Sequence, residues 1–394
     1  MNKYKIYIII VFSCLLTGCY NYREINNLAI TSAVAIDKID DEFEITVQVI
    51  NTKKNGNNSN TNSTIPTVTY TSKGKTMQEV LRKIVTSSPK RLYVSHLEIL
   101  VIGEEYAKEG IKDMLDFLFR DAEVRKQFLV VVAKNSKAKD ILECLTPLDN
   151  ISAQNIKNTI ETDNDFLGTS KVITFEEVIS DYLNKRKELV IPTVEILNNT
   201  NDKDKIENIE QIDTTSKTKL SGLALFKEDK LINTLSLEES IYYNFINDNL
   251  ENTIINYKCD QNNYMSIEII NSNTKIKNKR NTLEISISIN GNGDISEINC
   301  PKYNLEDPKI IKELEDKINK KIKEKIKENI KLITEDYKID SYGFEETIYK
   351  TNNKFYKTIN KEKLLSSLKY NITSNIKLIE KGNTLKGVNH EKSN

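Results

Sequence analysis

The sequence predicts an α+β protein with a mixed α/β region in its N-terminal half and, in its C-terminal half, an antiparallel sheet packed on one long amphipathic helix. Two patterns lead to this fold class. Strand-like apolar runs alternate with helical patterns up to residue 195, and from Tyr264 the pattern changes to apolar–polar alternation. One long helical stripe over 307–337 interrupts that alternation.

The folded part of the chain is predicted to begin with strands. Residues 28–36 are apolar at most positions, as in a strand buried on both faces, and Asp37 to Glu42 have the composition of a turn. Alternation over 43–49 predicts a second, half-buried strand. The polar residues 51–64 predict a solvated loop, after which Thr67 to Thr71 resume as a strand.

Helices and strands are then expected to alternate. Thr76 with Glu79 three residues later matches a capping box, so we expect a helix to begin there and to end before Pro89. The elements expected after it are a strand over 96–102, a helix over 104–120, a strand over 128–133, and helices over 138–145 and 175–184.

A polar and charged stretch divides the chain. Residues 196–219 hold few large apolar side chains, so we predict a linker there, between an N-terminal domain over 20–195 and a C-terminal domain over 220–390. The second domain is expected to open with a hairpin that turns at Lys227–Lys230, followed by a helix over 237–247.

The rest of the C-terminal domain is predicted to be a sheet on one helix. Alternating runs predict strands over 265–269, 283–289 and 370–378, and Asn290–Gly293 is expected to end the second in a turn. In the helix over 307–337, apolar residues recur every four positions. This spacing drifts around the helix axis, which favours packing on a twisted sheet over a straight two-helix seam. The stripe consists of Ile310, Ile311, Leu314, Ile318, Ile322, Ile326, Ile330 and Ile333.

The N-terminus has the layout of a bacterial lipoprotein signal. Lys3 and Lys5 precede the apolar run Ile6–Leu16, and Leu16-Thr17-Gly18-Cys19 follows as the cleavage sequence. The run covers about 16 Å as a helix, too short for a hydrocarbon core of about 30 Å. We therefore predict that residues 1–18 are removed and that the Cys19 thiol carries a diacylglycerol.

Composition argues against several other classes of protein. Lys and Arg together number 57, as do Asp and Glu, so the formal net charge is zero and no nucleic-acid partner is expected. No Gly-x-Ser-x-Gly, phosphate-cradling loop or His-Glu-x-x-His occurs, so we predict neither an enzyme nor a cofactor site. The charged cluster Arg120–Arg125 is interpreted as a solvated surface.

The cysteines and histidines do not form a recognisable site either. Once Cys14 and Cys19 are assigned to the signal and the lipid, three widely spaced cysteines remain and are expected as separate thiols, without a disulfide or a metal. His96 and Glu98 are expected on one strand face as a structural pair. The other histidine, His390, lies in a polar tail, and the three remaining cysteines are Cys144, Cys259 and Cys300.

Several motifs together resemble the Ger(x)C family of spore germination lipoproteins. The first runs from Cys19 through Arg23-Glu24-Ile25-Asn26 to Ile30 and continues at Ala35-Ile36-Asp37-Lys38, although Tyr20 and Asn21 depart from the family's usual Trp-Asp. Further matching segments are Ser88–Tyr93, His96 through Gly103-Glu104, Ala107–Gly110, Leu118–Asp121, Glu123–Arg125, Gly222 with Phe226, and Asp340–Phe344.

The resemblance implies a function. Members of this family are lipoprotein subunits of nutrient germinant receptors, held at the outer face of the spore inner membrane beside two integral-membrane subunits. The resemblance implies no catalytic residue, and it implies that the lipid is attached at Cys19. We therefore expect a non-enzymatic protein, tethered to the membrane through diacylglycerol, that acts by protein–protein contacts.

Two alternatives stay open at this point. A solute-binding lipoprotein of a transporter would also carry such a signal, but that class has two similar α/β lobes with alternating units throughout. The alternating strands and the long helix of the C-terminal half do not fit it. A cell-wall enzyme is the third candidate, and the absence of a recognisable nucleophile–base pair argues against it.

Overall fold

A computed structural model of the chain describes residue 4 and residues 27–51, 65–300 and 303–380. Nine of the described strands form one sheet, in the order β3-β2-β1-β5-β6-β7-β8-β9 with β4 paired to the beginning of β1. The ladders from β1 through β5 and β6 to β7 are parallel, and those at the two sides of the sheet are antiparallel. The strands are β1 Leu28–Ile39, β2 Glu42–Ile50, β3 Thr67–Gly74, β4 Arg91–Tyr93, β5 Ile99–Gly103, β6 Leu129–Ala133, β7 Val190–Leu197, β8 Lys217–Lys227 and β9 Lys230–Leu235.

Helices cover both faces of this sheet, because its central parallel strands are apolar on both sides. Helices α1, α2, α3 and α6 bury their apolar faces on one side, and α4 and α5 bury theirs on the other. The N-terminal half is therefore mixed α/β, as expected, and its sheet lies between two layers of helices. These helices are α1 Met77–Ile84, α2 Glu104–Glu109, α3 Lys112–Arg120, α4 Ala138–Glu143, α5 Ser152–Phe166 and α6 Phe175–Leu183.

The C-terminal half is a four-stranded sheet packed on helices, which confirms the predicted α+β class. Strands β10 Asn252–Lys258, β11 Tyr264–Asn278 and β12 Glu284–Ile298 are antiparallel neighbours, and β13 Lys369–Glu380 lies parallel to β12. A parallel pair needs a crossover connection, and the helices between β12 and β13 supply it. These helices are α8 Pro308–Lys331 with a π-helical turn Leu332–Asp336, α9 Phe344–Thr351, α10 Asn353–Tyr356 and α11 Leu364–Ser367. Helix α7, Leu237–Ile246, precedes the sheet in the chain.

The long helix α8 covers both the core face and the free edge of the C-terminal sheet. Its predicted stripe is buried from Ile311 to Ile330 and continues to Ile333. On its flank, the Asn319 side chain accepts the Ile376 N–H at 2.7 Å and donates to the Ile376 carbonyl at 2.9 Å. An amide side chain thus replaces a neighbouring strand, which protects the edge of β13 from pairing with another chain.

Four local predictions are wrong. Asp37 lies within β1, and the hairpin turn is formed by Asp40 and Asp41, both at positive φ. The strand expected from His96 begins only at Ile99, because the chain first pairs with β1 as β4 and then makes a 3-10 turn.

The helix expected over 104–120 is broken into α2 and α3 at Gly110, whose φ is 128°. Asn290–Gly293 do not end a strand, since β12 continues through them and pairs on both sides with β11 and β13.

The stretch predicted as a linker connects two neighbouring strands of the first sheet. Strand β7 ends at Leu197, and β8, which begins at Lys217, pairs with it antiparallel. The buried Asn208 holds the connection in place by donating to the carbonyls of Leu145 and Ser216. The hairpin β8–β9, predicted at the start of the second domain, therefore belongs to the sheet of the first half. The division into domains at 196–219 stays a prediction.

Candidate functional site

The predicted lipid-attachment residue, Cys19, lies outside the described residues, as does His390. None of the described helices is both long and apolar enough to cross a membrane. Among the described residues there is also no group of three His, Cys, Asp or Glu side chains that could hold a metal ion. The candidate sites among the described residues are therefore surfaces and clefts.

His96 and Glu98 do not form the expected pair on a strand. His96 ends the 3-10 turn Val94–His96 and is exposed, with its ring 5.6 Å from that of Tyr93. Glu98 is half-buried, and its backbone N–H donates to the carbonyl of Ser32 at 2.9 Å. The two side chains therefore lie on different local structures, which leaves no basis for a carboxylate-oriented imidazole.

The prediction of separate thiols is wrong for two of the three cysteines. Cys259, just after β10, and Cys300, just after β12, form a disulfide with their Cα atoms 6.2 Å apart. The intervening strand β11 brings them together, which the spacing of 41 residues in the sequence could not show. Cys144 is the expected buried thiol. Burial raises the pKa of its thiol to about 11, so it is a poor nucleophile at neutral pH.

A cleft of about 620 Å³ opens on the first sheet between α1 and α3. Its floor consists of buried residues of β1, β2 and β5, among them Val34, Ile45 and Leu100. The walls are apolar as well, but they are not fully covered: Leu81 and Leu92 are half-buried, and Val85 is 51% exposed. The other half-buried wall residues are Val94, Leu97 and Phe117. This part of the sheet face therefore lacks the covering helix that the rest of the face has.

Charged residues surround the cleft. Arg91, at the start of β4, donates to the Glu123 carboxylate at 2.9 Å, and the Ser95 hydroxyl donates to the Glu123 carbonyl at 2.9 Å. On α3, Arg120 donates to Asp116 at 2.9 Å. These ion pairs are exposed and contribute little to stability. The segments Ser88–Tyr93 and Leu118–Arg125, far apart in sequence, meet here, so the charged cluster interpreted as a solvated surface borders an apolar cleft.

The first strand of the sheet, β1, begins beside this cleft. Leu28 and Ala29 of β1 pair with Arg91 and Leu92 of β4, both of which line the cleft. Strand β1 therefore begins at the wall of the cleft. Sequence reasoning could not find this site, because its lining comes from five separate stretches of sequence whose apolar residues have the pattern of ordinary core residues.

Two other residues, from the motifs that carry the family resemblance, have structural roles. Asp37 is buried, and its carboxylate accepts the N–H groups of Ala138 and Lys139 at 2.9 and 3.0 Å, at the start of α4. Burial raises the pKa of this carboxyl, although the two amide donors oppose the rise. A Cβ at Gly103 would lie 2.2 Å from the Asp37 Oδ1 atom, so the neighbouring strand needs a glycine at this position.

The motif Asp340–Phe344 lies where the two halves of the chain meet. The Asp340 carboxylate accepts the N–H groups of Phe344 and Glu345 at 3.0 and 2.7 Å, at the start of α9. Its carbonyl accepts the Glu188 N–H at 2.9 Å, and the Tyr243 hydroxyl donates to the Ser341 carbonyl. Arg186 packs 3.7 Å from the ring centre of Tyr349 in the same contact. The loop that follows α6 is thereby fixed to the start of α9.

The stability of this junction should depend on pH. Burial raises the pKa of Asp340 to about 6, against an ordinary value of 3.8, because desolvation outweighs its two amide donors. The folded state thus holds this proton more tightly than the unfolded state. The free energy of unfolding should therefore fall as pH rises from about 4 to about 6, by up to about 3 kcal/mol from this group.

The variants Asp340→Asn and Asp340→Ala isolate this effect in denaturation curves measured between pH 4 and 8. Asparagine keeps an acceptor oxygen, so the difference between wild type and Asp340→Asn should change across pH 4 to 6 and stay constant above it. Alanine removes the cap as well and should cost about 1–3 kcal/mol more than asparagine at pH 7, because two N–H groups lose their acceptor. A difference between wild type and Asp340→Asn that stays constant over the whole range would contradict the prediction.

Comparison with known protein families gives two matches in chain order. The model "Spore germination protein N-terminal domain" matches residues 21–196, and the model "Spore germination B3/ GerAC like, C-terminal" matches residues 221–382. The first covers α1 to α6 and the sheet as far as β7, including the cleft. The second covers β9 to β13 with the long helix. The two matches leave out the polar connection between β7 and β8.

Individual proteins give the same result. The chain is 29% identical over 350 residues to "Spore germination protein KC" of Bacillus subtilis (strain 168), covering 85% of this chain and 84% of that protein. It is 22% identical over 389 residues to "Spore germination protein GerQC" of Bacillus cereus, covering 95% and 98%. The crystal structure of the GerBC protein superposes with a TM-score of 0.56 at 18% identity, covering 88% of this chain and 96% of that one, and so shares the fold.

Proposed function

Because the chain belongs to the family of spore germination proteins that these two domain models describe, we propose that it is the membrane-anchored lipoprotein subunit of a nutrient germinant receptor. The observation that carries the proposal is the presence of both domains, in order, over almost the whole described chain. A protein of this family is expected to act when a dormant spore responds to nutrients.

The proposed anchor is a diacylglycerol on Cys19, which places the body at the outer face of the spore inner membrane. The signal layout that ends at Cys19 supports this placement, and so does the Cys259–Cys300 disulfide. Disulfides persist outside the reducing cytosol, whereas paired cysteines in the cytosol usually stay reduced. Both observations favour a body that folds after export.

The proposed action is non-enzymatic and consists of contacts with two integral-membrane subunits. The described part of the chain supports such contacts through an apolar cleft with a charged border. A tether raises the local concentration of the body beside its membrane partners, so modest interfaces are sufficient for assembly. The two sheets that the described residues form are not the two similar α/β lobes of a solute-binding lipoprotein.

Deletion of the gene in the spore-forming host tests this proposal. Spores without the protein should form in normal numbers and resist heat, yet should lose the response to at least one nutrient, measured as the fall in optical density after nutrient addition. A copy that restores the full-length chain is the control and should restore the response. Unchanged responses to every nutrient, with genes for related subunits also removed, would contradict the proposal.

A further inference from the structure

The cleft between α1 and α3 has the size of a small-molecule site rather than that of a protein interface. Its volume of about 620 Å³ lies within the range of about 300–1,000 Å³ that is usual for small-molecule sites. A stable protein complex needs a broad face instead, of about 800 Å² on each partner. The lining of the cleft indicates which kind of small molecule fits it.

The apolar part of the lining is almost entirely aliphatic. The floor consists of buried Val, Ile, Leu and Met side chains, and the walls add half-buried residues such as Leu92 and Leu97. Phe117 is the only aromatic side chain among the described residues that line the cleft. The charged and amide residues of the lining are all exposed at its border, apart from the half-buried Asp121. A molecule that fills the floor therefore needs an apolar body without polar groups, because a buried polar group would find no hydrogen-bond partner there.

An alkyl chain meets this requirement. Each methylene that moves from water into an apolar site increases the affinity about fourfold. A flexible chain also adapts to a floor made of side chains from two helices and three strands. An aromatic or sugar-like ligand would need stacking surfaces or hydrogen-bond partners that the floor does not offer.

The border of the cleft has one positive charge that no carboxylate neutralises. Arg91 pairs with Glu123, and Arg120 pairs with Asp116. Among the described residues that line the cleft, Arg82 is the only cation without an ion pair, and it lies exposed in the last turn of α1. An anionic group at the end of an alkyl chain would complement this charge at the edge of the apolar floor.

We propose that this cleft binds a small amphiphile with a single alkyl chain and an anionic head group, with the chain on the aliphatic floor and the head group beside Arg82. A free fatty acid and a lysophospholipid both have this chemistry. The bound chain covers the apolar walls and leaves the paired charges of the border exposed for contacts with other proteins. The proposal does not depend on the proposed function, because it rests on the cleft alone.

Photoaffinity labelling of the full-length chain tests the proposal. A lysate of the host, with soluble and membrane fractions kept together, is irradiated with a dodecanoate analogue that carries a diazirine in its chain. Labelled residues are identified by mass spectrometry, and the label in residues 77–97 and 116–124, which include both helices of the cleft, is divided by the label in the rest of the chain. This labelling ratio cancels the amount of probe that enters the membrane. It should be several times higher for the dodecanoate probe than for a matched octanoate probe, because the longer chain buries more methylenes.

A substitution at the border tests whether the label reports the cleft. Val85 is 51% exposed there, and Val85→Asp should lower the labelling ratio about tenfold, since a carboxylate removes apolar contact and repels the anionic head group. Ile379→Asp is the matched control, because Ile379 is 60% exposed on β13 in the other half, and it should leave the ratio unchanged. Both side chains are exposed, so both variants should keep the melting temperature of the wild type.

The variant Arg82→Gln separates the head group from the chain. With the wild type, the dodecanoate probe should give a labelling ratio about two- to fivefold higher than a dodecyl trimethylammonium probe, the preference expected from one exposed ion pair. In Arg82→Gln this preference should disappear, whereas the increase with chain length should remain. Lys83→Gln is the matched control, because Lys83 lies on the same helix, pairs with Glu79 and does not line the cleft. It should keep the preference.

A lysophosphatidylglycerol probe with the same chain distinguishes the two sources of the ligand, and a higher labelling ratio for either anionic probe supports the proposal. Label spread evenly over exposed apolar residues of both halves would overturn it. So would a ratio that Val85→Asp leaves unchanged, since the label would then come from another surface. Equal ratios for the anionic and the cationic probe in the wild type would overturn the assignment of an anionic head group to Arg82.

Discussion

Replacing Cys19 by alanine should release the protein from the membrane and abolish the nutrient response that depends on it. The physical reason is the number of acyl chains. Each buried methylene contributes about 0.8 kcal/mol, so one chain binds a membrane marginally and two hold a protein stably. Without the thiol no diacylglycerol can be attached. The eleven-residue, mostly apolar run Ile6–Leu16 of the predicted signal is too short to hold the chain across the bilayer by itself.

The measurement is fractionation of spore membranes after a wash at high salt, followed by the mass of the N-terminal peptide. Wild-type protein should stay with the membranes and begin at Cys19 with the added mass of a diacylglycerol. Cys14→Ala is the matched control, because Cys14 is a cysteine in the part of the chain that is predicted to be removed. That variant should behave like wild type. Equal membrane retention of Cys19→Ala, or an unmodified native N-terminus, would contradict the prediction.

The released variant should nevertheless be folded. Cys19 precedes the first described strand by nine residues, and none of the described core depends on it. The melting temperature of the body should therefore stay unchanged while the nutrient response is lost. This combination separates a defect of location from a defect of folding, and it measures how far function depends on the local concentration that the tether supplies.

The parts of the fold that the sequence predicts well are those where one face of a single element is buried. The stripe of α8 recurs at helical spacing, and the strands β11 and β12 alternate, because in each case the neighbouring core selects every apolar position. Helix α5 was not predicted for the opposite reason. Its buried apolar residues are only Ala153, Ile156 and Ile160, among many polar residues, so its apolar stripe is too sparse to recognise.

Features that depend on contacts between residues far apart in the sequence could not be predicted from it. In the sequence, Asp37 resembles a turn residue. Its hydrogen-bond partners lie 101 and 102 residues further along the chain, so only the structure shows its buried role. The disulfide between Cys259 and Cys300 depends on the pairing of three strands. The cleft has the same character, since it is a gap between α1 and α3 and no local pattern encodes a gap.

The resemblance to a known family identified residues that local patterns did not explain, and the structure separates them into two groups. Asp37, Gly103 and Asp340 are buried and satisfy backbone groups or allow two segments to approach. Arg91 and Glu123 are exposed at the border of the cleft. The buried group accounts for the fold, and the exposed group marks the surface on which the proposals about function rest.

Replacing Gly222 by alanine should be the most destabilising single methyl addition among the described glycines. Gly222 lies in β8 with a φ of 118°, a region that other residues rarely adopt, and a Cβ there would lie 2.0 Å from the carbonyl oxygen of Leu235. The clash is with backbone, so no side-chain rotation can relieve it. Leu235 ends β9, and Ser236 then caps α7. The substitution therefore strains the point where the first sheet passes into the C-terminal half.

The strain and the clash together should cost about 4 kcal/mol or more, a large fraction of the stability of a typical protein. The melting temperature should fall by about 10 °C or more, measured by circular dichroism. Gly343→Ala is the matched control, because Gly343 also has a positive φ, of 72°, but the nearest atom to its Cβ would be a flexible Lys187 carbon at 3.5 Å. It should cost only about 1–2 kcal/mol, the strain alone. Equal effects of the two substitutions would show that backbone conformation alone determines the cost, and that Leu235 and the junction to α7 can move away.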